Sequence, residues 1–286
     1  MNDNLSFPEI SDLHKKMFYN CTIAVIFLIL GLISFSVPMA GIPGYVPGII
    51  FFAICIIFFV KYYKMKKVFR LNYKQNVVLH VLNQHFQNVN YRWDDGFDRN
   101  LVYSLNLISP GNTYSSEDYL SATYKNVHFE QADVTVEEVT TDSDGNTSTT
   151  VYFRGRMIVI DYPKITSYVR AVSKKFYHSR SLRKSTFPEI QTENVQFNNL
   201  FKVRAASEHD AFYLLTPPMM EKLMYILSSY GNVGLCCQAN RMIIAINTKR
   251  NAFDANAGIN LDYEKEIRAL TEDVALIENL IDILYS

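Results

Sequence analysis

Between Met17 and Val60 the chain carries no charged residue, and a run of that kind has few folding outcomes. It divides at a Pro/Gly-rich loop (Pro38, Gly41, Pro43, Gly44, Pro47) into an apolar run over 18–37 and a second over 48–60 that continues through Tyr62 and Tyr63. A helix needs about 20 apolar residues to cross a hydrocarbon core roughly 30 Å thick. The first run meets that length. The second meets it if it begins near Tyr45 and uses its tyrosines as interfacial anchors. A signal peptide would have a shorter apolar core, a small-residue cleavage site and no second span behind it. The stretch 17–63 is therefore expected to form a hairpin of two transmembrane helices.

Positive charge orients the hairpin. Lys15 and Lys16 precede the first run, Lys61, Lys64, Lys66, Lys67 and Arg70 follow the second, and the short loop between has no basic residue. Both flanks are then cytoplasmic and the loop lies outside. This describes a multi-pass protein of the inner cell membrane with both termini cytoplasmic: an N-terminal segment over 1–16, the hairpin over 17–63, and a cytoplasmic α+β domain over 64–286 that ends in an amphipathic helix. Asn146-Thr147-Ser148 matches a glycosylation acceptor, but on the cytoplasmic side it reads as a turn.

The remaining chain is long enough for one domain of roughly 200 residues. The full chain, at 49% hydrophobic and 20% charged residues, is too apolar for disorder. Net charge is zero but unevenly placed. Arg170, Lys174, Lys175, Arg180, Arg183 and Lys184 form a basic run without an acid, whereas the stretch from Leu261 is acidic. Of the four cysteines, Cys21 and Cys55 lie in the apolar runs and Cys236 and Cys237 are adjacent. Neighbours on a strand point to opposite faces, so the last two suit neither a disulfide with each other nor a shared metal. This usage fits a reducing compartment.

Periodicity supplies the rest of the domain. Val68, Leu71, Val78, Leu79, Leu82 and Phe86 predict a helix over 64–88, continuing from the second span; Trp93-Asp94-Asp95-Gly96 breaks it. Segments 126–139 and 149–160 are strand-like around Asp142-Ser143-Asp144-Gly145-Asn146, a β-hairpin. Further strands are expected over 168–172 and 195–205. Ser207 with Asp210 caps a helix through Leu215; Thr216 and Pro217 open another that Gly231 stops. A hairpin over 233–237 and 241–246 follows, turning at Gln238-Ala239-Asn240. The fold class is α+β with a mostly antiparallel sheet and flanking helices. In the last helix Ile267, Leu270, Val274, Ile277, Ile281 and Leu284 recur as heptad a and d positions. Two readings stand: packing on the domain's own sheet, or self-association through a short coiled coil.

Motifs that carry chemistry are absent: no phosphate-binding loop, dinucleotide fingerprint, nucleophile elbow or HExxH. Asp142, Asp144 and Asn146 superficially resemble a calcium loop, but the glycine comes too early and the distal Glu is missing. His128 and Glu130 share a strand face without a third partner, and His209-Asp210 is a capped turn. Arg154-Gly155-Arg156 either faces solvent or forms a bulge with a phosphate-binding arginine; the first is preferred. No cofactor, metal or nucleic acid is expected. The basic run 170–184 has aromatic neighbours Tyr168, Phe176 and Tyr177 and also His178. Without a nucleic-acid motif, two readings stand: a solvated loop, which is preferred, or a contact with the anionic leaflet shared with Lys61, Lys64, Lys66, Lys67 and Arg70.

Val151-Tyr152-Phe153-Arg154-Gly155, Gln191-Thr192-Glu193-Asn194-Val195-Gln196-Phe197 with Phe201, Asp210-Ala211-Phe212-Tyr213-Leu214-Leu215-Thr216-Pro217 and Asn240-Arg241-Met242-Ile243-Ile244-Ala245-Ile246 together resemble a bacterial family known as domain of unknown function 3137. The resemblance extends from the paired helices to about Ile246. It implies two membrane helices followed by one cytoplasmic domain, and no reaction. The family-like Glu-Ala-Arg-Tyr is here Asp210-Ala211-Phe212-Tyr213, so any shared role of that Arg is lost.

The leading expectation is a membrane-anchored, non-enzymatic interaction module. Its partners are the bilayer through two transmembrane helices, and a protein partner, a second copy or anionic lipid. The alternatives are a membrane-tethered enzyme of unrecognised type, favoured by a deep pocket at Arg154, Glu193 or His128, and a subunit of an oligomeric membrane complex.

Overall fold

The computed structural model describes residues 6–36, 45–162, 167–176, 187–255 and 260–285. They divide into two units, Met1–Val81 with Asp254–Leu270, and Leu82–Phe253 with Thr271–Ser286.

The first unit is built on α1 (Phe7–Ser36) and α2 (Tyr45–Asn72), antiparallel neighbours. Both outrun the apolar stretches that seed them. α1 starts at Phe7 because Glu9 caps it: the Ser6 backbone N–H and hydroxyl both donate to the Glu9 carboxylate at 2.7 Å. The Glu side chain reaching back to the N–H three residues earlier is one half of a capping box. The Pro/Gly loop residues Pro38, Gly41, Pro43 and Gly44 lie outside the described residues. α2 continues through the basic positions, passes into a π-helical turn at Tyr73–Val78 and resumes as α3 (Leu79–His85). The helix expected over 64–88 is thus present, with an irregularity that periodicity does not reveal.

The second unit is a nine-stranded sheet among the described residues, antiparallel throughout, in the order β1-β2-β3-β4-β9-β8-β5-β7-β6. The strands are β1 (Gln87–Arg92), β2 (Thr113–Tyr124), β3 (Val127–Thr141), β4 (Thr147–Asp161), β5 (Val169–Ser173), β6 (Glu189–Ile190), β7 (Phe201–Ala205), β8 (Val233–Gln238) and β9 (Arg241–Ile246). The helices are α4 (Arg99–Ser104), α5 (Val195–Leu200), α6 (Glu208–Leu214), α7 (Pro217–Tyr230) and α8 (Tyr263–Tyr285). The α+β class with an antiparallel sheet and flanking helices is what the sequence predicts. The β3–β4 hairpin turns at Asp142–Gly145, with Gly145 at φ 84°. β8 and β9 turn on Ala239 and Asn240 at φ 49° and 61°, the paired left-handed residues that suit a tight hairpin.

Two segments differ from expectation. The strand expected over 195–205 is a helix for its first half. Asn194 accepts from the Phe197 N–H at 2.9 Å, which caps α5, and only 201–205 is extended. β1 and β2 escape the sequence reading altogether. β2 is polar, and Asp118 at φ 60° makes a bulge between Glu117 and Leu120 that breaks the two-residue period. β1 has its own irregularity at Asn88, φ 53°.

Alternation along β3 and β4 creates two sheet faces. Ala132, Val134, Val136, Phe153, Met157 and Val159 share one core with Phe97, Val102, Leu105, Leu107 and Ile108 from α4 and its flanks. The opposite face carries Phe129, Gln131, Asp133, Arg156, Ile158 and Ile160, all buried. The α8 residues of this unit are tied to the same strands: Lys125 pairs with Asp282 at 2.7 Å, and the Tyr285 hydroxyl donates to the Asp161 carbonyl.

Gly155 lies where the turn after β9 crosses β4. A Cβ there would stand 2.0 Å from the Ile246 carbonyl oxygen and 2.7 Å from the Thr248 nitrogen, both backbone atoms that cannot step aside. Gly155→Ala is therefore expected to lower unfolding stability by at least about 1–3 kcal/mol, the usual cost of overpacking. Urea denaturation of the detergent-solubilised chain checks this against Ser143→Ala at the exposed hairpin tip as a control.

Candidate functional site

Two regions concentrate unusual physical chemistry, one in each unit. In the first, α1 and α2 meet through small residues. A Cβ on Gly48 would come within 2.7 Å of the Phe35 ring, and Ala24 and Ser34 are buried between the helices. The Ser34 hydroxyl is satisfied by the Leu30 carbonyl at 2.8 Å. Small-residue contacts of this type let helices approach where surrounding lipid offers no hydrophobic drive. The outward faces are strongly apolar. Val25, Ile26, Ile29, Leu32 and Ile33 of α1 and Ile49, Ile50, Ile56 and Ile57 of α2 are each 48–62% exposed. Both helices are long and apolar enough to cross a membrane.

This surface ends in a band of tyrosine and lysine. Tyr19 is 67% and Tyr63 55% exposed, and the Asn20 amide reaches the Met65 sulfur at 3.1 Å, so the two helices arrive at the band together. The Lys61 ammonium sits 5.1 Å from the Phe58 ring centre. Lys61, Lys64, Lys66 and Lys67 are exposed, and Arg70 is half-buried. Beyond the band the pair stays packed: His14 is buried between the rings of Phe18 and Phe69, each 4.8 Å away. The π-helical turn then places adjacent residues inside. Tyr73 donates to Glu266 at 2.7 Å, and the buried Lys74 pairs with Asp254 at 3.0 Å.

The second basic set behaves differently. Arg170 lies on β5 and is buried, its guanidinium donating to the Asn106 carbonyl. This corrects its assignment to a lipid-facing patch, because the segment carrying Asn106 covers it. Lys174 and Lys175 are exposed just after β5. Arg180, Arg183 and Lys184, with Tyr177 and His178, lie outside the described residues.

In the second unit the decisive residue is Arg156. The preferred sequence reading put both Arg154 and Arg156 toward solvent. Arg154 is 42% exposed and pairs with Glu137 at 3.0 Å, but Arg156 is fully buried. Its Nε and Nη2 donate to the Gln131 side-chain oxygen at 3.0 and 2.8 Å, and its Nη1 donates to the Asp273 carbonyl. Its carbon fork lies 5.1 Å from the Phe253 ring centre. Gln131 in turn donates to the Asp118 carbonyl at 3.0 Å, and Tyr91 donates to the Asp118 carboxylate. The Asp273 carboxylate accepts from Arg250 at 2.6 Å and from the Phe253 N–H at 3.1 Å. Asp133 accepts from the Ala252 N–H. Burial pulls Arg156 below its ordinary pKa, Asp133 and Asp273 push back, and Arg250 adds to the depression. The Asp273 hydrogen bond raises Arg250. Sequence spacing shows that 154 and 156 share a face; it does not show that only 156 is covered.

Other sequence candidates disperse. His128 bonds the Ala122 carbonyl at 3.1 Å while Glu130 accepts from Tyr119 at 2.9 Å, so the two have separate partners. Glu193 is exposed beside the α5 cap. Asp142 accepts from the backbone N–H groups of Asp144 and Asn146 at 3.0 and 2.8 Å, which is hairpin-turn chemistry and lowers its pKa. Burial pushes the Cys236 thiol up to about 12 and Cys237 well above its usual value, so neither is a ready nucleophile. Of the heptad set, Leu270, Val274, Ile277, Ile281 and Leu284 are at most 5% exposed and Ile267 is half-buried. Asp273, Leu276 and Leu280 are buried too, a stripe wider than a two-position seam.

Residues 151–285 match the family described as a protein of unknown function, DUF3137. The resemblance read from the sequence holds there, with a corrected extent. It begins at β4 rather than at the apolar helices, and it runs beyond Ile246 through α8. Arg156, Arg250, Phe253 and Asp273 fall inside the matched region; Asp118, Gln131 and Asp133 fall before it. No curated protein matches the sequence. The crystal structure of the mycobacterial trehalose monomycolate transport factor A, TtfA, aligns with a TM-score of 0.38 at 9% identity, over 72% of this chain and 93% of that one. A likeness at that level decides neither fold nor function.

Removing Arg156 would take the donor from two buried acceptors, the Gln131 side-chain oxygen and the Asp273 carbonyl, and the cation from the field of Asp133 and Asp273. Arg156→Met is expected to cost about 3–5 kcal/mol of unfolding free energy. Arg156→Lys should fall in between, because an ammonium keeps the charge but not the fork. Urea denaturation of the solubilised variants distinguishes the two.

Proposed function

We propose that this chain is a membrane-anchored interaction module whose α1–α2 hairpin spans the inner membrane and whose sheet domain works on the cytoplasmic side as a docking element. The carrying observation is the exposed apolar surface of both helices, bounded at one end by Tyr19, Tyr63 and the lysines 61, 64, 66 and 67. An exposed apolar surface of this size is unfavourable in water, whereas the aromatic and basic band matches a headgroup region. At an anionic leaflet each such lysine gains about 1 kcal/mol, so the four supply roughly 4 kcal/mol of lateral preference for anionic lipid. Lys174 and Lys175 would extend the same preference if the domain meets the leaflet. The Arg156 network favours a structural role over a reaction centre, since the guanidinium donors are taken up by Gln131 and the Asp273 carbonyl.

Two measurements test the reading. In intact cells, Asp144→Cys at the hairpin tip should resist a membrane-impermeant maleimide and become reactive once the membrane is opened. Labelling in intact cells would overturn the cytoplasmic placement. Native mass spectrometry of the full chain with added phosphatidylglycerol should show several-fold fewer retained lipids when all four lysines become glutamine. Equal retention would remove the lipid role.

A further inference from the structure

β3 and β4 are 15 residues each, and the neighbour of β4 is much shorter. β9 pairs with β4 only from Arg156 to Asp161. The Lys249 N–H closes the next position by donating to the Arg154 carbonyl at 2.8 Å. Toward the hairpin tip, no strand among the described residues pairs with that side of β4, and Thr147, Ser148, Thr149 and Val151 are exposed. Alternate residues of such an edge direct their N–H and C=O groups outward. Proteins normally blunt an open edge with lysine, proline, a bulge or a covering segment. β4 carries a bulge at Tyr152, where its register against β3 shifts; outside that bulge the segment from Thr147 to Val151 is uncharged, free of proline and mostly β-branched, so it is suited to accept another strand.

We infer that this edge pairs antiparallel with the same edge of a second copy of this chain, about a twofold axis near Thr149. The charge pattern selects that occupant. The hairpin tip is acidic, with Asp142 and Asp144 exposed, while the inner end of the edge is basic, with Arg154 42% exposed and Lys249 exposed. An antiparallel twofold near Thr149 brings the acidic tip of each chain toward the basic inner end of its partner's edge, where the partner's Arg154 and the partner's Lys249 lie beyond the bulge at Tyr152. The same match repeats at the other end, as an isologous interface requires. Parallel pairing would instead set acid against acid. This surface is separate from the apolar helices and from the stripe on α8, and the inference does not depend on membrane anchoring.

The test uses the full chain in native membranes, with Cys21 and Cys55 replaced by alanine and Thr149→Cys introduced. Antiparallel partners on a twofold axis stand about 4.5–5.5 Å apart at Cα, within disulfide reach. Mild oxidation should yield a disulfide-linked dimer of twice the chain mass. Asp144→Lys and Lys249→Asp should each reduce the linked fraction roughly fivefold or more, through like-charge contact. The double exchange D144K/K249D should restore it. Absence of a linked dimer, a linked species of another mass, or a dimer indifferent to both exchanges would overturn the inference.

Discussion

A guanidinium removed from water has to be surrounded by acceptors, and the second unit is organised around that demand at Arg156. Its fork reaches Gln131 on β3 and the Asp273 carbonyl on α8, while its face lies over Phe253. Asp273 then fixes Arg250 and the Phe253 N–H, and Asp133 fixes Ala252. Strand, returning segment and terminal helix are held by one charge. Hydrogen bonds to a buried ion are stronger than neutral ones, but the desolvation they offset is of the same order. What such a centre supplies is register: a one-residue slip of β4 would put Met157 among carboxylates and Arg156 into the apolar core on the other face.

Gly155 belongs to the same arrangement. The segment after β9 can reach back to Ala252 and Phe253 only by crossing β4 closely, and it crosses where there is no side chain. The motif Phe153-Arg154-Gly155-Arg156 thus places an aromatic in one core, an ion pair at the surface, a gap for the crossing chain and a buried cation in the other layer. β9 ends at the same crossing, which leaves the outer part of β4 open.

Different physics governs the first unit. α1 and α2 are held together by small-residue approach and ring packing, and their outer surfaces are apolar by composition rather than by pattern. Legibility followed these differences. Elements whose signal is local were readable: the uncharged helices, the Asp-Gly hairpin, the Ser207 and Thr216 helix starts, and the α8 stripe. The α1 start was also written locally, as Ser6 and Glu9, although it lies ahead of the apolar run that draws attention. β1 and β2 were not readable because a positive-φ bulge at Asp118 and the irregular Asn88 erase the alternation that marks a strand. The Asn194 cap likewise turned a strand-like run into α5.

By itself the sequence determined the presence and apolarity of two helices, the turns, and the antiparallel α+β class, because each depends on neighbours within a few residues. The tertiary structure alone decided which polar groups are inside. Arg154 and Arg156 are equivalent by spacing, and Arg170 is indistinguishable from Lys174 in a basic run. Their fates differ because α8 and the segment after β9 cover one end of β4 and not the other, and because the segment carrying Asn106 covers Arg170. Burial is a property of what arrives from far along the chain, and no local pattern records that arrival.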